Sequence, residues 1–332
     1  MVGQVVVITG ASAGAGRATA QAFARRGARI GLIARGVERL EETAREVDGL
    51  GGHGLALPTD VANADAVMAA ASAVEAQLGP IDIWINAAMA TVYAPFHAIT
   101  SEEYRRATEV TYLGTVHGTQ AALHHMRPRN RGTIIQVGSA LAYRAIPLQS
   151  PYCGAKFAIR GFTDSLRSEL MHDRLDIHLT MVQMPALNTP QFDWGRNKLS
   201  HRPQPVPPVF QPEVAAEAIV YAATARRREV WVGEPTYKAI IGNKLAPGIM
   251  DRYLARQGYA GQITREIADP ALPDNLFEPV PGHQGAHGRF DDRAQAKSLA
   301  LSLTKHRAPL LVAAGAAGLL LWQLGRIVAR KV

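Results

Sequence analysis

The sequence predicts a doubly wound α/β fold, a parallel sheet with helices on both faces, followed by a C-terminal extension ending in an apolar helix. Three observations predict it. Short apolar runs near residues 4–9, 28–34, 54–58, 81–85, 132–138, 176–182 and 229–232 alternate with helical stretches, and repeated β–α units build parallel sheets. The first run passes through a glycine-rich turn straight into the helical pattern Arg17 to Arg26. At 332 residues and 47% hydrophobic content, the chain is long enough for one large domain with a substantial core.

Gln4 to Ile8 forms the first strand and Thr9 to Gly16 (TGASAGAG) the turn. Glycines there let the backbone approach a pyrophosphate, and the helix that follows offers N–H groups and a positive dipole end. Gly10, Ser12, Gly14, Ala15 and Gly16 are therefore expected to hold a dinucleotide. A tight turn with no ligand is the plainer alternative; the strand, turn and helix in sequence favour the dinucleotide. The second strand ends at Arg35, with no Asp or Glu where one would bind the adenosine ribose. Arg suits a 2′-phosphate, which favours NADP(H) over NAD(H). The rival is a surface Arg opening the Gly36 to Val47 helix. After the third strand Asp60, followed by Val61, is placed to accept from an adenine amino group, or to cap the helix beginning near Asn63.

Gly132 to Ser139 (GTIIQVGS) reads as a buried strand, with Ser139 at the carboxyl end, where open α/β sheets place ligands. Tyr152 follows on a helix, and Lys156 lies one turn later on the same face. A nearby ammonium favours the phenolate, so Lys156 is expected to lower the Tyr152 pKa from about 10. Such a Tyr can give a proton to a carbonyl oxygen or take one from an alcohol. Taken alone, Tyr-x-x-x-Lys is commonly a half-buried Tyr beside a solvated Lys. The strand and Ser139 before it supply the context.

Thr9-Gly-x-x-x-Gly-x-Gly16, Asp60-Val61, Asn86-Ala87-Ala88, Ser139 and Tyr152-x-x-x-Lys156 occur in the order and at the spacings of the short-chain dehydrogenase/reductases. The chain resembles that family over roughly residues 4 to 232. The resemblance implies a Rossmann-like domain, a homo-oligomer (dimer or tetramer), and an oxidoreductase acting on CH–OH groups. It assigns Tyr152 as general acid/base, Lys156 as holder of the nicotinamide ribose, and Ser139 as the group that orients the substrate oxygen. Asn86 and Ala88 join the cofactor contacts. Thr189, after the strand ending Met184-Pro185-Ala186, is placed near the carboxamide or phosphates.

Two positions depart from the family pattern. Met89 stands where Asn-Asn-Ala-Gly usually ends in glycine, which should narrow or grease the pocket beside the nicotinamide. Thr111 occupies the place of a helix Asn that supports a proton-relay water, and its reach and donor count are smaller. Thr111 therefore joins the catalytic candidates. These departures motivate the alternative function, an NADP(H)-binding redox sensor or membrane scaffold with little catalysis.

The residues expected around a substrate are apolar: Met89, Val92, Tyr93, Leu141, Tyr143, Ile146, Leu148, Leu187, Phe192 and Trp194, some of them core. A lipophilic ketone, aldehyde or alcohol is the expected partner. Arg144 is the exception and is free to point outward. Residues 190–212, with prolines at 203, 205, 207, 208 and 212, read as an irregular substrate loop within a domain spanning 1–260.

Residues 261–305, rich in Pro and Gly, read as an arm or linker. His283 and His287 lie there four apart, but surrounding glycines oppose a helix and no Cys joins them, so no metal is expected. Within 306–332, residues 308–325 carry no charge and are flanked by Lys305, Arg307, Arg326, Arg330 and Lys331. As a helix they would span about 27 Å against a hydrocarbon core of about 30 Å, so a membrane contact is expected, with a helix docked on a partner subunit as the rival. The net charge of +8 is then accounted for near headgroups. A nucleic-acid partner is not expected, because no binding motif accompanies the charge. The single Cys153 allows no internal disulfide, and no signal peptide precedes the first strand, so the catalytic domain is expected in the cytoplasm.

Overall fold

A computed structural model describes residues 1–282 and 285–307. Seven parallel strands form the central sheet: β1 Val5–Thr9, β2 Arg29–Ala34, β3 His53–Pro58, β4 Ile81–Asn86, β5 Gly132–Ser139, β6 Ile177–Met184 and β7 Glu229–Trp231. All seven sequence-predicted strands are present. Their order across the sheet is β7-β6-β5-β4-β1-β2-β3. β1 is central, pairing with β2 on one side (Val6 opposite Ile30) and β4 on the other (Val6 opposite Ile83). The chain reverses direction of travel across the sheet there, which opens a crevice at the strands' carboxyl ends.

Alternation along β1 shows why the strands are apolar throughout. Val6 and Ile8 enter one core with Phe23, Leu40 and Ile219, whereas Val5 and Val7 enter the other with Val67, Val74 and Ala121. Helices α1 Gly14–Ala24 and α2 Val37–Gly49 cover the first face; α3 Ala64–Leu78 covers the second. With both faces buried, every position favours an apolar side chain. α4 Ser101–Thr108 begins with a capping box between Thr100 and Glu103 and runs through a π-helical turn, Glu109–Leu113, into α5 Gly114–Met126. The 23-residue α6, Ser150–His172, then crosses behind the sheet.

Residues 190–212 are more ordered than their prolines suggest. They hold a short helix, α7 Gln191–Trp194, and the strands His201–Pro203 and Val209–Phe210. Each strand gains its partner from the far C-terminal segment: His201–Pro203 pairs with Ile263–Ile267, and Val209–Phe210 with Ala294–Gln295. Helix α8, Pro212–Thr224, joins the first face; α9 Glu234–Leu245 and α10 Pro247–Gln257 follow β7. The described residues of 261–305 pack back on the domain as an arm: Leu276 and Phe290 are buried, and Asp274 pairs with Arg196 at 2.9 Å. The arm ends in α11, Leu299–Lys305, whose Leu301 enters the first core.

The uncharged stretch 308–325 lies outside the described residues. Among the described residues no helix is long and apolar enough to cross a membrane. His283 also lies outside them. His287 bridges Glu213 and Asp291, at 2.7 and 2.9 Å.

Candidate active site

The turn after β1 is a cradle that side chains would fill. Gly10 has φ +72°, and a Cβ there would sit 2.8 Å from the Ala88 Cα; at Gly16 it would sit 2.1 Å from the Gly10 carbonyl oxygen. Glycine at both positions is therefore a steric requirement. No side chain caps the start of α1 at Gly14. Ser12, Ala15, Val61, Ala88 and Thr189 line the same cleft with these glycines. Thr9 Oγ1 accepts from the backbone N–H groups of Ala87 and Ala88, at 3.1 and 3.2 Å, and so locks the ends of β1 and β4 together beneath it. This geometry fits a dinucleotide: bare backbone, a helix N-terminus and a cleft of about 400 Å³.

Arg35 and Asp60 both line the adenosine end, but both are bonded within the chain. The Arg35 guanidinium donates to the carbonyls of Phe277 at 2.6 Å, Leu276 at 3.3 Å and Asn275. Burial, then the Arg106 charge, lowers its pKa. Arg106 donates to Leu276 as well and pairs with Asp60 at 2.5 Å. Asp60 accepts further from the Ala62 N–H, and the cap of α3 is instead Asn63, which accepts from Ala66 at 3.0 Å. The reading of Arg35 as a free surface residue is thereby corrected. The sequence reading missed Arg39, one helical turn after Arg35. It is buried, lines the same end, and stacks its guanidinium 4.6 Å from the Trp194 ring; among the described residues its Nη1 has no hydrogen-bond partner.

The catalytic end brings three predicted residues together. Ser139 closes β5, its Oγ accepting from the Leu141 N–H at 3.1 Å, and its hydroxyl meets the Tyr152 phenol. Lys156 Nζ donates to the Val137 carbonyl at 2.6 Å and lies 5.4 Å from the Tyr152 ring centroid. The expected lowering of the Tyr152 pKa is corrected: burial drives it well above its usual value, and only the Ser139 hydrogen bond opposes that. Burial also pushes Lys156 down to about 8. Desolvation penalises both charged forms more than their mutual attraction rewards them. Cys153, next to Tyr152, is buried and is pushed up to about 11, so it is an inert thiol of the core.

Two expected site residues turn away. Asn86 does not line the cleft; its side chain accepts from Trp84 Nε1 at 2.8 Å and donates to Gln136 and Thr119 within the core. Thr111 is fully buried in the π-helical turn, and its hydroxyl accepts from the Ala90 N–H and donates to the Ala90 carbonyl, at 2.9 and 3.0 Å. The O–H and one lone pair of the hydroxyl are thus spent on the loop after β4.

Residues 4–197, more than half of the chain, match the family described as short chain dehydrogenase. The chain belongs to that family. It is similar to YxnA of Bacillus subtilis, an uncharacterized oxidoreductase, with 30% identity over 321 residues, covering 96% of this chain and 89% of the relative. A fatty acyl-CoA reductase of Acinetobacter baylyi is 29% identical over 230 residues, 69% of this chain and 75% of that protein. A metagenomic short-chain oxidoreductase solved in complex with NADP superposes with a TM-score of 0.59 and 26% identity, covering 70% of this chain and 97% of that one. The protein is thus an NAD(P)-dependent oxidoreductase of the short-chain type, on a Rossmann-like fold. The match to YxnA also extends through the C-terminal arm, beyond the family match.

Past the nicotinamide end, the cleft of this short-chain dehydrogenase is apolar. Met89, Leu141, Ile146, Leu187 and Phe192 line it as expected, whereas Trp194 lines the cleft at the opposite end, over Arg39. Val92, Tyr93, Tyr143 and Leu148 do not: Tyr93 packs on Phe192, and Tyr143 turns its hydroxyl to Glu229 at 2.6 Å. Arg144 is held at the wall by Asn243 and Asp251, at 3.1 and 2.6 Å. Sequence reading missed Pro235 and Ala239 of α9 and Met250 and Leu254 of α10, which complete the wall. Their helices follow the last strand, where no motif marks a role.

Proposed function

We propose that this dehydrogenase reduces a lipophilic ketone or aldehyde to its alcohol, and runs the reverse reaction, with NADP(H) as cofactor. The observation that carries the reading is the convergence of Ser139, Tyr152 and Lys156 at the end of β5, between the glycine cradle and an apolar cavity. A bound nicotinamide supplies the hydride that the carbonyl carbon receives. Ser139 donates to the carbonyl oxygen and orients it. Tyr152, whose raised pKa keeps its proton at neutral pH, delivers that proton as the oxygen gains charge. Lys156, anchored at Val137, would hold the ribose, and its positive charge, brought into a dry site, steadies the phenolate left behind.

Cofactor choice rests on the adenosine end. Arg35 and Arg39 bring two positive charges to it, and the carboxylate of Asp60 is already paired with Arg106, which favours a phosphate over a bare ribose. The apolar lining supports a lipophilic substrate, as does the likeness to a protein named for fatty acyl-CoA. NADPH consumption with medium-chain ketones and aldehydes tests the reading. Tyr152→Phe should cut turnover by about 10² to 10⁴ while leaving NADPH affinity unchanged. Near-parental turnover in that variant refutes the assignment.

A further inference from the structure

Helices α9 and α10 form a hairpin with two apolar sides. Pro235, Ala239, Met250 and Leu254 face the cleft. Ile241 and Leu245, one turn apart on α9, are 47% and 80% exposed; Ile249 and Tyr253, one turn apart on α10, are 65% and 58% exposed. Lining the cleft accounts for the first set and leaves the second unexplained. A folded surface seldom gathers four large apolar side chains on one hairpin unless something covers them.

Charge beside this face identifies the cover. Lys238 and Lys244 of α9 share a groove with Arg226, Arg227, Arg228 and Arg307, of which Arg226 is paired with Asp176 and Arg228 with Asp164. Two acidic residues reach that groove, and both have partners. Glu229 accepts from Tyr143 and Trp231, and Glu234 accepts from the Ala300 N–H. On α10, Asp251 is paired with Arg144, while Arg252 and Arg256 stand exposed. Leu299 and Leu303 of α11 line the same groove and are 67% and 49% exposed. The pattern is therefore apolar side chains rimmed by cations.

The path of the chain agrees with it. α11 packs beside α9, with the Thr304 hydroxyl 3.1 Å from that of Tyr237. The sequence then continues into the uncharged residues 308–325. The geometry points to an anionic bilayer surface as the occupant of this face. Ile241, Leu245, Ile249 and Tyr253 would enter the headgroup boundary, and the lysines and arginines would meet lipid phosphates. One wall of the cleft then lies against lipid, so an apolar substrate dissolved there need not cross water to reach it. That last consequence rests on the proposed function; the docking itself does not.

Co-sedimentation of the full chain with phosphatidylcholine vesicles, with and without phosphatidylglycerol, tests the docking. The parent protein should pellet preferentially with anionic vesicles, and less so in about 0.5 M salt, where the screening length falls to roughly 4 Å. Leu245→Asp with Ile249→Asp, which leaves the cleft lining and the tail intact, should lower partitioning at least about tenfold. A cysteine variant, Leu245→Cys, labelled with an environment-sensitive dye, gives a second readout that survives any misfolding of the charged pair. Cys153 is buried and unreactive, so the label reports position 245, and a blue shift on anionic vesicles is expected. Unchanged sedimentation of the charged pair overturns the proposal, as does an unshifted label. So does a change from dimer to monomer with lipid binding intact, which would make this face an interface between copies.

Discussion

Lys156→Met separates the stability of this fold from its chemistry. Lys156 is 3% exposed, and burial holds its pKa at about 8 against the usual 10.5. A buried Lys with a depressed pKa destabilises the folded state: the cost is complete below pH 8 and vanishes above 10.5. At roughly 1.4 kcal/mol per pH unit, the cost is about 3 kcal/mol at pH 7 and about 1 kcal/mol at pH 9.5. Methionine fills a similar volume and removes that cost. It also leaves the buried Val137 carbonyl without the 2.6 Å hydrogen bond, a loss of about 2 kcal/mol at either pH. The variant should therefore be about 1 kcal/mol more stable than the parent at pH 7 and about 1 kcal/mol less stable at pH 9.5. In thermal unfolding followed by circular dichroism, that is about 1–2 °C up and then down for a chain of this length. Turnover should be lost at both values. A variant destabilised equally at pH 7 and pH 9.5 would refute the claim that burial governs this site.

Other outcomes follow from the bonding at each end of the cleft. Arg35→Ala should weaken NADPH binding at least about tenfold, near 1.4 kcal/mol, and leave NADH affinity nearly unchanged, as measured by cofactor fluorescence. Equal parental affinities for the two cofactors would sink the NADP(H) reading, whereas parallel losses would assign Arg35 to holding the arm alone. Thr111→Val keeps the side-chain shape but strips both hydrogen bonds from Ala90, and should cost about 1–3 kcal/mol in denaturant unfolding. Its turnover should stay within about twofold of the parent; a fall of 10² or more would return Thr111 to the proton path.

What the sequence disclosed is what local periodicity can carry. The inner sheet strands were legible because both of their faces are buried, leaving continuous apolar runs such as Val5 to Thr9. The less buried edge strands His53–Pro58 and Glu229–Trp231 followed from the alternation with helices. The cradle was legible because contacts of 2.1 and 2.8 Å admit only glycine, so the geometry is written in the residue type. Side-chain direction was not. Asn86 and Thr111 sit at the expected positions in the chain and point into core networks, and no spacing rule distinguishes a residue facing the cleft from one a step around its element. The Tyr152 pKa was missed for a related reason. The sequence displays the neighbouring Lys156 charge but hides the burial that outweighs it.

The C-terminal arm shows where such reading ends. Arg35 was identified correctly as the residue closing β2, yet the carbonyls that hold it belong to residues 275–277, some 240 positions later. Prolines and glycines marked residues 265–295 as irregular, which holds for most of their described backbone and is silent about their packing. Irregular chain is stable when its polar groups find partners, and this arm finds them in Arg35, Arg106 and Arg196. Of the three, Arg35 alone lines the cleft, and the arm occupies the donors it would offer a 2′-phosphate. A 2′-phosphate bound there would couple cofactor binding to arm position through that guanidinium, since any ligand that takes Arg35 from Phe277 must loosen the arm or share the donor with it.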